Sequence, residues 1–122
     1  MYVIYHDPGC IFSVICLAVM RAKKVSYDKV KYKKEPLTAD TIRQLVKKLG
    51  VKASDLVCKK DKCWKSTYSK LELGEEEIIK LLIEQPKLMI RPIIVNEDKA
   101  IVGRPPVSLL KLIKEQEENK VV

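Results

Sequence analysis

The chain has 122 residues, one domain's worth, with 47% hydrophobic and 33% charged residues. Its formal charge of +8 comes from 20 lysines and 4 arginines against 16 acids. Scarce arginine, 6% aromatic content and basic residues spread along the whole chain argue against a nucleic-acid face, and leave solubility, small anions or an acidic partner as what the charge serves. The longest apolar run near the N-terminus, residues 14–20, is too short to span a membrane. It follows His6, Asp7 and Pro8 rather than a basic segment, which makes a poor signal peptide. The expected compartment is the cytoplasm, where the four cysteines stay reduced and read as catalytic, redox or buried residues before they read as staples.

Tyr2-Val3-Ile4-Tyr5 is a short β-prone run closed by the turn formers Asp7-Pro8-Gly9. From Cys10 the sequence is apolar to about Met20 and basic to Lys24, which predicts a buried helix whose last turn suits the helix dipole. Val25 to Tyr32 alternates and predicts a second strand. Thr38 is the N-cap of a helix with Ile42, Leu45, Val46 and Leu49 on one face and Gly50 at its end. A short helical piece, Ala53 to Val57, precedes a lysine-rich stretch, 58–74, in which Trp64 and Tyr68 are expected to anchor on the core. Glu75-Glu76-Glu77 opens a helix with Ile78, Ile79, Leu81, Leu82 and Ile83 inward, ended by Pro86. Ile93-Ile94-Val95 and Ala100-Ile101-Val102 are strands about a turn at 96–98, and Pro105-Pro106 starts a last helix with Leu109, Leu110, Leu112 and Ile113 inward. The polar tail, about 115–122, is expected to fray. The order β-α-β-α(α)-α-β-β-α predicts an α/β fold, a thioredoxin-like mixed sheet with a helical insertion at about 37–85, in a single domain over 1–122.

Cys10 follows a Pro-Gly turn and stands where the first helix begins. A thiolate there faces unpaired N–H groups and the positive end of the helix dipole, which lowers its pKa, and the same place would hold an oxyanion. The alternative is a small apolar residue at a helix start. Ser13, three residues on, fits as a hydroxyl donor toward the sulfur or as an ordinary first-turn residue. Two of the four arginines immediately precede proline, in Arg91-Pro92 and Arg104-Pro105. The residue before proline is held extended, so each guanidinium is aimed, and guanidinium suits bidentate contact with oxyanions. Two arginines at strand edges would look the same in sequence. Pro92, at the start of a strand, is a candidate cis proline.

These residues resemble a known family. Tyr5-His6-Asp7-Pro8-Gly9-Cys10-x-x-Ser13 is similar to the N-terminal signature of the glutaredoxin-coupled arsenate reductases of the ArsC type, a group that includes the Spx transcription regulators. Arg91-Pro92-Ile93-Ile94-Val95 resembles the family's central strand and Gly103-Arg104-Pro105-Pro106 its final motif. The resemblance spans residues 2 to about 113. It implies a thioredoxin-like core with a helical insertion, a cis proline at Pro92, a nucleophile at Cys10, and active-site arginines at Arg91 and Arg104. His6, the chain's one histidine, matches the family's histidine near the cysteine, where it would help hold the cysteine's surroundings; capping the strand-end turn is its other reading.

Two departures bear on the substrate. The family's third active-site arginine falls on Cys58, and the Gly-Thr-Ser-basic stretch usual after the cysteine is here Ile11-Phe12-Ser13-Val14. Two expected cations are therefore missing. Each charge-assisted contact is worth ~1.5–3 kcal/mol, so oxyanion binding weakens by roughly 10²-fold or more, and Lys59 or Lys60 replaces only part of it. Cys58 in the arginine's place would be a resolving cysteine that closes a disulfide with Cys10, or else a half-buried cysteine in a short helix. A Cys58–Cys63 redox pair is a further alternative; the ligand supply for zinc is poor, so no metal is expected, and Cys16 reads as core packing.

The leading expectation is a thiol oxidoreductase with Cys10 as nucleophile. Arg91 and Arg104 would bind a small anionic substrate or a glutathione mixed disulfide, with no bound cofactor and with glutathione or glutaredoxin as external reductant. The alternatives are an Spx-like, oxidant-sensing regulator that binds RNA polymerase, or a family member without turnover.

Overall fold

The computed structural model describes residues 1–120, with side chains to Glu117. In chain order the elements are β1 (Tyr2–Tyr5), α1 (Ile11–Ala22), β2 (Tyr27–Val30), α2 (Ala39–Leu49), α3 (Glu75–Glu84), β3 (Ile93–Asn96), β4 (Lys99–Val102) and α4 (Val107–Lys120). They fall into two compact units, one of Met1–Lys31 with Arg91–Val122 and one of Tyr32–Ile90.

The first unit holds the four-stranded sheet, in the order β2-β1-β3-β4. β1 and β2 are parallel, and β3 runs antiparallel to both β1 and β4. This is the thioredoxin-like mixed sheet that the element order predicts. Tyr2 and Ile4 of β1 and Ile94 of β3 point to one face, where Cys16, Leu17 and Met20 of α1 and Leu109, Leu112 and Ile113 of α4 cover them. Because α1 is the crossover between parallel strands, its first turn returns to the C-terminal end of β1. That places Cys10 over the sheet edge where β3 begins and β4 ends.

The second unit is helical. The Thr38 hydroxyl accepts the Thr41 N–H at 3.1 Å to cap α2, and Gly50 ends it in the left-handed conformation (φ 68°) that glycine tolerates. Arg43 of α2 reaches Glu76 of α3 at 2.7 Å on the surface. One 3₁₀ turn covers Ala53–Leu56 and another Pro86–Leu88. The chain segments after them pair through a Val57–Met89 bridge.

Four expectations need correction. The second strand is shorter than Val25 to Tyr32, because as an edge strand it pairs only along the four residues of β1, from Tyr27 opposite Tyr2 to Val30 opposite Tyr5. Trp64 is no core anchor: it lies half-exposed in one turn of π-helix and stacks on Tyr68, with ring centroids 6.2 Å apart. Leu110 faces outward rather than into the core. The tail continues as helix to Lys120, since Glu, Gln and Lys are strong helix formers; residues 121–122 of the predicted frayed tail lie outside the described residues. Among the described residues no helix is long and apolar enough to cross a membrane.

Candidate active site

The loop between β1 and α1 is organised by Asp7. Its carbonyl accepts the Cys10 N–H at 3.0 Å, and its side-chain Oδ1 accepts the Gly9 N–H at 3.0 Å. Its own N–H donates to Ser13 Oγ at 3.3 Å, and its Oδ2 lies 3.0 Å from Arg91 Nε. Asp-Pro-Gly reads in sequence only as a turn; the carboxylate's hold on Arg91 had no sequence signal beyond the residue type.

Cys10 takes the N-cap position of α1 in extended conformation (φ −106°, ψ 121°) and makes no side-chain cap bond. Its carbonyl accepts the Val14 N–H at 3.1 Å, which starts the helix. Cys10 as a whole is only 8% exposed. Its sulfur accepts a hydrogen bond from Arg104 Nη2 at 3.4 Å. Arg104 is fixed from two further sides: Nε donates to the Arg91 carbonyl at 2.7 Å, and Cζ sits 4.8 Å from the centre of the Phe12 ring. Nothing in the sequence marks Phe12 for this place. The peptide bonds before Pro92 and Pro105 are both cis, the first as expected and the second unanticipated.

Gly103 sets where Arg104 starts. A Cβ on Gly103 would stand 2.6 Å from Cys16 Sγ and 2.8 Å from Pro92 Cγ, closer than atoms can pack. Its N–H donates to the Pro92 carbonyl at 2.9 Å, and its carbonyl accepts the Cys16 thiol at 3.7 Å. Cys16, fully buried, is core packing as expected, and its partner is the backbone that carries Arg104.

Opposed influences act on the Cys10 thiol. Burial pushes its pKa up, but the Ser13 backbone N–H, the Arg104 guanidinium and the Phe12 N–H together outweigh burial and hold it below the ordinary thiol value. Ser13 therefore serves the sulfur through its backbone, while its hydroxyl, predicted to face the sulfur, accepts from Asp7. Burial pushes the Cys16 thiol up to about 11, with the Cys10 charge adding to it.

Arg91 and Arg104 do not share one task. Arg104 stands on the thiol, whereas Arg91 is ion-paired with Asp7 and lends its carbonyl to Arg104. His6 is buried after β1, its backbone N–H bonded to the Val30 carbonyl at 2.8 Å and its Nδ1 without a hydrogen-bond partner among the described residues. Burial first, then Lys29, lower its pKa, which favours the neutral ring. Cys58 and Cys63 lie half-buried in the second unit, and the Cys58 N–H donates to the Leu88 carbonyl at 2.6 Å. Among the described residues no group of three or more His, Cys, Asp or Glu could hold a metal ion.

A cysteine at a helix start, an arginine on its sulfur and a proline-led strand beside it can be compared with known proteins. Residues 16–112 match the model of the ArsC family. The chain is 37% identical over 112 residues to the uncharacterized protein YfgD of Escherichia coli (strain K12), covering 90% of this chain and 94% of that one. It is 32% identical over 113 residues to an arsenate reductase of Haemophilus influenzae, covering 91% and 97%. The solved structure of an arsenate reductase from Vibrio cholerae superposes with a TM-score of 0.85 at 28% identity, over 90% of this chain and 95% of that one. In sequence and in fold, the chain belongs to the ArsC family.

Proposed function

We propose that the chain is a thiol oxidoreductase of the arsenate reductase type in which Cys10 is the nucleophile. The observation that carries this reading is the Arg104 guanidinium 3.4 Å from a sulfur whose pKa is held below the ordinary thiol value. The relative of Haemophilus influenzae named an arsenate reductase supports it.

With a glutathione mixed disulfide as substrate, the Cys10 thiolate attacks the glutathione sulfur. The substrate leaves as a thiolate and Cys10 carries the glutathione. A second thiol, glutathione or glutaredoxin, then attacks that glutathione sulfur and releases the Cys10 thiolate, so the external thiol supplies both electrons. Arg104 stabilises the sulfur as attacker and as leaving group. Arg91, beside it, is ion-paired with Asp7. With Cys58 in place of a third arginine, a disulfide fits better than arsenate. The reaction as written uses no resident cofactor, and a reaction fed by an external thiol fits the cytoplasm, where thiols stay reduced.

A two-cysteine cycle, in which peroxide converts Cys10 to a sulfenic acid and Cys58 condenses with it to a disulfide and water, rests on residue type alone. Mass spectrometry after mild peroxide is expected to find the Cys10–Cys58 crosslink; Cys10 modified without it removes Cys58 from the mechanism.

The main test is turnover of arsenate and of a glutathione mixed disulfide by wild type and Cys10→Ser. Disulfide turnover above arsenate turnover, with loss of both in the variant, is expected. A Cys10 pKa at the free value of about 8.5 with no turnover of either overturns the reading, and binding of RNA polymerase in that case would assign the chain to regulation.

A further inference from the structure

α1 is apolar all round. Cys16, Leu17 and Met20 face the core, and the opposite side carries Ile11, Val14, Ile15 and Ala18, spaced i, i+3, i+4 and i+7 in one stripe. That stripe is open to solvent, with Ile11 64%, Val14 46% and Ile15 40% exposed. A helix apolar on every side is ordinarily covered on every side. α4 packs on the same sheet face and adds Val107 and Leu110, 48% and 40% exposed, in its first turns. The two helix starts are joined at the site itself, since Cys10 caps α1 and Arg104, three residues before α4, bonds its sulfur. An apolar collar thus borders the thiol.

The two segments that carry the collar hold charge of one sign. Residues 10–22 and 103–114 contain no acid, and their charged groups are Arg21, Arg104, Lys111 and Lys114. A complementary surface is apolar at its centre and acidic at its rim. A lipid surface could meet the charge, but it brings nothing to the nucleophile beside the collar. A protein that brings a sulfur to Cys10 covers the collar by the same approach. Free glutathione is too small to cover a stripe of two helical turns.

We propose that the outer stripe of α1, with Val107 and Leu110 of α4, is the docking face for an acidic-rimmed protein thiol that regenerates Cys10. This rests on the thiol-exchange function proposed above. The step is exchange: the partner's thiolate attacks the glutathione sulfur of the Cys10 mixed disulfide, that S–S bond breaks, Cys10 leaves as thiolate, and the partner is oxidised to its own glutathione mixed disulfide.

The test loads Cys10 with glutathione and measures its release by two reductants, a purified glutaredoxin and dithiothreitol. In Val14→Glu and, on the other helix, Leu110→Glu, the glutaredoxin rate is expected to fall at least about tenfold through like-charge repulsion, while the dithiothreitol rate stays at wild type. Unchanged rates with both reductants, or equal falls with both, overturn the docking face alone. So does a wild-type dimer, or binding to phosphatidylserine vesicles, that Val14→Glu abolishes. A Cys10 that takes up no glutathione overturns the exchange function and this proposal with it.

Discussion

α1 and α2 differ by one residue in length, 12 against 11, and are finished in opposite ways. α2 satisfies its own ends: Thr38 caps it, Asp40 sits in its first turn, Lys47 and Lys48 in its last, and Gly50 turns the chain away. It buries one stripe, Ile42 and Leu45. α1 has no side-chain cap bond and no acid in its first turn, and its first donors face the Cys10 sulfur instead. An absent cap costs about 0.5–2 kcal/mol of helix stability. The difference teaches that the reactive end of this fold is the end whose helix was left incomplete, because N–H groups occupied by a cap could not stabilise a thiolate.

The largest expected effect comes from the cation at that end. Arg104→Leu removes the guanidinium that lowers the Cys10 pKa, so the pKa rises and less thiolate is present at neutral pH. Alkylation by iodoacetamide, followed against pH, is expected to shift its midpoint upward, and turnover to fall about 10²-fold, as for loss of one charge-stabilising donor. A midpoint that stays put would mean that the backbone N–H groups do the work alone.

Next is Gly103→Ala. The added methyl meets Cys16 Sγ and Pro92 Cγ, so about 1–3 kcal/mol of stability is expected to be lost in urea denaturation. The same alkylation midpoint should move upward, as Arg104 is carried off the sulfur.

The two caps then respond with opposite sign. Thr38→Ala is expected to lose about 1 kcal/mol, and Cys10→Ser, which supplies the hydroxyl α1 lacks, to gain a similar or smaller amount. Equal losses from both would break the contrast between the helices.

The smallest effect belongs to His6. Burial, then Lys29, keep its folded pKa below the usual value, so the unfolded chain takes up the proton first. Stability is therefore expected to be lost as pH falls below about 6.5. His6→Gln should flatten that acid limb in thermal melts at several pH values, and an unchanged slope would assign the acid sensitivity elsewhere.

Local signals carried most of the fold. Thr38 and Gly50 bound α2 because capping is a property of a few adjacent residues. The extent of β2 was not local: its partner's four residues set it, and alternation in its own sequence could not report that. Trp64 misled for a related reason, since a large aromatic ring signals apolar area without saying whether core or a neighbouring ring will meet it. At the site, the Pro-Gly-Cys turn and the two Arg-Pro pairs led to Cys10, Arg91, Pro92 and Arg104. Their division of labour was hidden, because it depends on Asp7 pairing with a residue 84 positions away and on Phe12 lying under Arg104. The Gly103–Cys16 contact joins residues 87 apart and was equally illegible.

That contact has a consequence for how the chain meets oxidants and electrophiles. Cys16 is buried, with a thiol pushed up to about 11, while Cys10, six residues earlier, is held below the ordinary value. At neutral pH the thiolate fraction of Cys10 therefore far exceeds that of Cys16. Chemistry that seeks out ionised sulfur will therefore mark one position of the helix and pass over the other. The silent thiol, recovered only on unfolding, becomes an internal reference against which every hit on Cys10 can be counted.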